Sequence, residues 1–246
     1  MKELYLWRNL EQIFNSEEIA QAWETIRPAL EAFELPDGTG EVNRGDRRAI
    51  FYLISYFKPQ TVLEIGTHIG ASTLHIAAAL RKAQRSGDES HIKLVSVDVA
   101  DVNDPVSKPW LRHGARFSPS EMINHMRCAS LVEFVTSHSL DYMANCRKRY
   151  DFIFLDGDHA AQTVYQEIPA ALESLEKRGV ILLHDYFPRL KPLWSDGAVI
   201  PGPFLATERL IAEGNHLAVL PLGQLPWPTK LRSNITSLAL LLRRTI

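Results

Sequence analysis

The chain has 246 residues, enough for one α/β domain with insertions or two small domains. Its make-up is that of a globular protein, 46% hydrophobic and 23% charged, with a formal net charge of -2 and no long charged block. That balance argues against a nucleic-acid binder, and no apolar run approaches the ~20 residues that span a bilayer.

Two distant cysteines, Cys128 and Cys146, read as free thiols rather than as a disulfide framework or zinc site. Residues 1–9 carry charges and no apolar stretch of signal-peptide length, so the cytoplasm is the expected location.

Residues 8–33 have apolar side chains at helical spacing, among them Ile13, Ile19, Trp23, Ile26 and Leu30, with Ser16 as an N-cap ahead of Glu17 and Glu18. Turn chemistry at 36–40 then separates an N-terminal helical extension, 1–40, from a main domain, 41–246. A second helix is expected over 47–57, stopped by Lys58-Pro59. Strands then alternate with helices. Strands are expected at 61–65, 93–97, 132–136, 152–155 and 180–183, and helices at 71–83, 119–129, 140–148 and 160–177.

This pattern predicts a Rossmann-like, doubly wound sheet of about seven strands with helices on both faces. It is mostly parallel, with an antiparallel edge hairpin from 216–220 and 237–242. Residues 187–204 are rich in proline and read as irregular, before a short helix at 207–213. The stretch 187–230 is the expected substrate loop and lid. Its aromatics Phe187, Trp194, Phe204 and Trp227, with Trp110, serve either as pocket walls or as loop packing.

The segment Glu64-Ile65-Gly66-Thr67-His68-Ile69-Gly70 joins a buried strand to a helix. Gly66 and Gly70 permit a tight turn and a close ligand approach, the helix start offers free N–H groups to a carboxylate or phosphate, and Ser72 adds a hydroxyl. His68 stands where a dinucleotide fingerprint has its second glycine, so that fingerprint is broken. Asp98 ends the second strand, where a carboxylate can accept from both hydroxyls of a ribose.

On four stretches the chain resembles class I S-adenosylmethionine-dependent methyltransferases, in particular the cation-dependent O-methyltransferases of the catechol and macrolide-sugar types. The stretches are Val42 to Asp46, Glu64 to Ser72, Ser137-His138-Ser139, and the pair Asp151 to His159 with Ile181 to Tyr186. The resemblance covers roughly residues 41–186. It implies S-adenosylmethionine as cofactor, held by Asn43, Glu64, Gly66, Thr67, His68, Gly70, Ser72, Asp98, Ser137, His138, Ser139 and Asp156.

The same resemblance makes Asp156 and Asp185 the carboxylates of a divalent-cation site such as Mg²⁺. Tyr186 stands where that family has its third ligand, which leaves Asp158 or water for the position, or a metal-free site. His159 falls where the family often has a lysine base and is a sensible general base near neutral pH. Asp156 and Asp158 are also candidate N-caps for the helix that follows, and His184 is either a second base or a strand-end histidine bonded to backbone.

The other histidines, His75, His91, His113, His125 and His216, show no metal-ligand spacing. The expected activity is methylation of a hydroxyl on a small molecule, with no nucleic acid and no membrane as partner. Assembly with further copies of the chain is left open. Two alternatives stand beside it: an NAD-dependent oxidoreductase and a non-catalytic binding module of the same fold.

Overall fold

The strand sequences alternate between two apolar faces, and the structure shows why both faces are apolar. In the computed structural model, which describes residues 10–38, 40, 42–84 and 93–244, one sheet separates two hydrophobic cores. Its described strands are β1 (Thr61–Ile65), β2 (Lys93–Asp98), β3 (Val132–Thr136), β4 (Tyr150–Leu155), β5 (Leu175–Leu183), β6 (Leu217–Pro221) and β7 (Ala239–Arg243).

The strand order is β3-β2-β1-β4-β5-β7-β6. The first five strands pair in parallel, and β7 joins β5 and β6 antiparallel. The expected sheet and its edge hairpin are therefore present. Order reverses between β1 and β4, which places a crevice beyond their carboxyl ends.

Side-chain parity divides the two cores. Val62, Leu94, Phe152, Phe154 and Leu182 face α1 (Glu17–Glu31), α2 (Arg44–Phe57) and α3 (Ala71–Ala83). Leu63, Val95, Ile153, Leu155 and Ile181 face the other way, toward the helices that follow β3, β4 and β5. Those helices are α6 (Ser139–Asn145), α7 (Ala161–Glu173) and α8 (Gly202–Ala212), while α4 (Pro109–Arg112) and α5 (Pro119–His125) lie between β2 and β3. Removing one such side chain, as in Leu63→Ala, costs about 2–5 kcal/mol by lost transfer energy and a residual cavity.

Several boundaries differ from the sequence reading, each for a local reason. The expected 8–33 helix breaks at Ser16, whose extended backbone lets its hydroxyl cap the N–H of Ile19; residues 8 and 9, like His91, lie outside the described residues. Asn43 caps α2 by accepting from the N–H groups of Gly45 and Asp46, so that helix begins earlier, at Arg44. It ends at Lys58, which takes a left-handed conformation before Pro59.

The helix expected over 119–129 stops at His125 and is followed by a 3-10 turn, Ala129–Leu131. The helix expected to reach 177 ends at Glu173. Leu175 is buried and pairs with Tyr150, so β5 starts there rather than at 180. Helix α8 opens at Gly202, with Pro201 and Pro203 in the positions where a helix start tolerates proline.

Candidate active site

The loop after β1 is drawn tightly over the strand ends. Gly66 has φ +96°, and a Cβ there would lie 2.1 Å from the carbonyl oxygen of Asp156, so only glycine lets β1 and β4 approach this closely. Gly70 has φ +75° and caps α3 with no side-chain hydrogen bond, which leaves first-turn N–H groups for an anion.

Asp98 anchors this loop from β2. Its Oδ2 accepts from the N–H groups of Thr67 and His68 at 3.0 and 2.9 Å, and its Oδ1 accepts from Ala100 N–H at 2.9 Å. A carboxylate has about four lone-pair sites, so Asp98 retains capacity for a hydroxyl donor at the rim. The His68 ring packs against that of His113, centroids 4.3 Å apart.

Glu64 sits beneath the loop, fully buried. It accepts from Thr73 Oγ1 and Ser96 Oγ, both at 2.6 Å. Burial pushes its carboxyl up to about 7, with the hydroxyls of Ser72, Ser96 and Thr73 pulling the other way. Ser72 is buried as well, so both residues brace the loop from below. His75 is a core histidine. Its Nδ1 donates to Ala71 O at 2.7 Å, and burial, helped by Arg47, pushes it down to about 3.

The strand-end ladder sets the acids side by side. Asp156 N–H donates to Ile65 O, and His184 N–H donates to Leu155 O, so the carboxyl ends of β1, β4 and β5 are level. His184 Nδ1 then meets Asp156 Oδ1 at 2.7 Å and Asp185 Oδ2 at 3.6 Å, while its Nε2 lies 3.4 Å from Asp46 Oδ2. Asp185 holds φ +50°, an uncommon conformation of the kind that gathers at functional sites, and Ser237 Oγ donates to its Oδ1 at 3.3 Å.

Half-exposed His159 places Nε2 3.4 Å from Asp185 Oδ2. Burial alone would push the His184 imidazole down; Asp156, then Asp185, with hydrogen bonding from Asp156 and Asp46, raise it well above its usual value.

This geometry corrects the place of Asp158 and bears on two open readings. Asp158 does not join the acids. It accepts from Ala160 N–H and Thr163 Oγ1 at 3.0 and 2.6 Å, a turn that leads into α7, whose N-cap is Ala160. The donors close enough to share an ion are Asp156, His184 and Asp185, within 4.8 Å of one another. The His184 ring bonds carboxylates rather than backbone. Tyr186 is buried toward α8, against Phe204 and Thr207, so its hydroxyl is withdrawn from the cluster.

Two residues enter that sequence reading had not singled out. Asp46 arrives from α2, and its only signal was its place in the Val42–Asp46 stretch. Buried Glu167 on α7 accepts from Ser139 Oγ at 2.5 Å, and burial pushes it up to about 7. Ser137 is tied to the end of β2 by its N–H to Asp98 O, while His138 is exposed ahead of α6. Asn43 reaches the cluster through its amide, which donates to Asp46 Oδ2 at 2.7 Å.

The loop aromatics divide in favour of packing. Trp227 is buried on Tyr52 and Phe14 and donates to Gly45 O at 2.9 Å; Trp194 packs on Phe187 and donates to Ile235 O at 3.2 Å. Trp110 is buried beside Ile69.

A family described as methyltransferase domain matches residues 63–186. This chain belongs to that family. The match runs from β1 to the residue after the Asp185 carboxylate, so the methyltransferase segment contains the glycine loop, Asp98, Asp156, His159, His184 and Asp185, and it sets aside the oxidoreductase alternative.

Solved structures of the same fold include the O-methyltransferase from Bacillus cereus in complex with SAH. It is 18% identical with a TM-score of 0.58, over 91% of each chain. An SAH-bound Podospora anserina methyltransferase is 15% identical with a TM-score of 0.58, over 99% of this chain and 96% of that one. The O-methyltransferase TomG from Streptomyces achromogenes, in complex with SAM, is 18% identical with a TM-score of 0.59, over 94% and 91%.

Proposed function

We propose that this methyltransferase draws on S-adenosylmethionine (SAM) and methylates a hydroxyl oxygen of a small molecule. One observation carries the reading: Gly66 brings the cofactor loop into backbone contact with Asp156, which belongs to the acid–imidazole cluster of Asp46, Asp156, His184 and Asp185. A methyl donor on the loop thus lies beside groups able to bind and deprotonate an acceptor. The solved structures bound to SAM or SAH support the cofactor by analogy of fold.

Bound SAM supplies an electrophilic methyl on a sulfonium. The uncapped first turn of α3 would receive its carboxylate, and Asp98 would accept from its ribose. Gly66, Thr67, His68 and Gly70 shape the loop, Ser137 to Ser139 border the adenine side, and Asn43 borders the methionine end. Glu64 and Ser72 act from beneath. His159, at the open edge of the cluster, would take the acceptor's proton as general base. Asp156 would orient the acceptor oxygen.

The donor set of two carboxylates and an imidazole fits a divalent cation in kind, and Asp156, His184 and Asp185 would hold one. Such an ion would lower the pKa of the acceptor hydroxyl. A metal-free reading has its own support: His184 already lies between Asp156 and Asp46, where a protonated ring offsets part of their charge.

We place the acceptor side on 187–230, the loop and lid stretch within the 41–246 catalytic domain, with 1–40 as an N-terminal helical extension. Among the described residues no helix is long and apolar enough to cross a membrane. A free cytoplasmic small molecule is the proposed partner, with no nucleic acid.

Calorimetric titration with SAM and SAH tests the cofactor. Methyl transfer to a panel of hydroxylated small molecules, with and without EDTA, tests the reaction and the cation. Absence of binding to either sulfur compound overturns the reading.

A further inference from the structure

Asp46 lies in the first turn of α2, fully buried, with only one oxygen engaged. Oδ2 accepts from Asn43 Nδ2 at 2.7 Å and stands 3.4 Å from His184 Nε2; Oδ1 has no hydrogen-bond partner among the described residues. The opposite nitrogen of the same imidazole meets Asp156 Oδ1 at 2.7 Å. The ring is therefore flanked by carboxylates from separate parts of the chain, hydrogen-bonded to Asp156 at Nδ1 and facing Asp46 at ion-pair distance from Nε2. A ring held at one nitrogen retains torsional freedom about its Cβ–Cγ bond, and a second anchor removes it.

Asp46 is itself fixed from outside the sheet. A Cβ on Gly45 would lie 2.4 Å from Pro228 O, and Trp227 Nε1 donates to Gly45 O at 2.9 Å, so the loop at 226–229 clamps the start of α2.

We infer that Asp46 is the positioning residue of His184, setting the imidazole that in turn orients Asp156 and Asp185. This rests on reading those acids as the reacting centre. The role is the same whether or not a cation joins the cluster, because a ligating histidine is commonly oriented by a carboxylate on its other nitrogen.

The test uses the full chain labelled with ¹⁵N-histidine, His184 being assigned by the signals that vanish in His184→Gln. In Asp46→Asn the His184 ring signals are expected to shift, and its Nε2–H to exchange with water at least about tenfold faster as the local structure loosens. Asn43→Ser keeps a capping hydroxyl but removes the amide that holds Asp46 Oδ2, and is expected to move the same signals in the same direction. It provides the answer if Asp46→Asn does not fold.

A folded Asp46→Asn or Asn43→Ser protein whose His184 signals superimpose on those of the unmodified chain overturns the inference. SAH titration of the unmodified protein reports separately on the cofactor reading. If no SAH binds, that reading fails, and the imidazole signals still decide the role of Asp46.

Discussion

Glu64 and Ser96 are register partners on β1 and β2, and Ser96 Oγ donates to Glu64 Oε2 at 2.6 Å in a fully buried pair. Thr67 Oγ1 lies 2.6 Å from the same Ser96 Oγ, so the acid is wired to the glycine loop through one hydroxyl.

That burial makes stability depend on pH in a defined direction. The folded-state pKa of Glu64 is raised to about 7, above the ordinary value, so folding takes up a proton between the two. The stability contribution is present below about 4.5 and is lost as pH rises through about 7. In urea unfolding, the unmodified chain should lose about 3 kcal/mol more stability between pH 4.5 and pH 8 than Glu64→Gln does. Equal losses in the two proteins would show that Glu64 is not held protonated.

His75 works in the opposite sense. Its folded pKa is lowered to about 3, so it stays neutral in the core while the unfolded chain protonates near 6.5. Its contribution is present above pH 6.5 and is lost as pH falls toward 3. His75→Gln should flatten the acid limb of the stability curve, measured by thermal unfolding at pH 4 and pH 7.

Gly66→Ala should remove cofactor binding. The added methyl meets the Asp156 carbonyl, and alanine is strained at φ +96°, which together cost more than about 2 kcal/mol. SAH titration and the melting temperature read both effects, and a variant with unchanged affinity would argue against the loop as cofactor site.

Asp98→Ala strips three backbone N–H groups of their acceptor and removes the proposed ribose contact. Affinity for SAH should fall at least about tenfold, or roughly 1.4 kcal/mol. Asp98→Asn, which keeps one acceptor oxygen, should lose less. The comparison is made by calorimetry.

His159→Ala should lower methyl transfer by about 10²- to 10⁴-fold, the usual range for a lost general base, while SAH affinity stays near that of the unmodified chain. Steady-state rates on any acceptor that turns over, paired with titration, separate the two readouts. A parallel loss of both would mean that His159 binds cofactor instead.

Much of the fold was legible because its determinants are local. A continuous apolar run such as Phe152 to Leu155 announces a strand buried on both faces, and helix caps such as Ser16 act over three residues. The glycine loop and the acids at the ends of β4 and β5 were legible for the same reason. Boundaries failed where a distant partner decided them: Leu175 becomes strand because Tyr150 offers it a register position. Asp158 stayed open between ligand and helix cap, since the same short acidic side chain serves either purpose, and its bonds go to Ala160 N–H and the Thr163 hydroxyl instead.

The amino-acid sequence alone thus determined the doubly wound sheet, the loop from Glu64 to Gly70 and the acids Asp156 and Asp185, all written in periodicity and short-range spacing. Tertiary structure alone decided that His184 rather than Asp158 lies beside Asp156 and Asp185, and that Asp46 reaches it from α2. Such contacts depend on where packing of the helices on the sheet brings chain segments far apart in sequence, and no local pattern encodes a distance of 3.4 Å between Asp46 and His184.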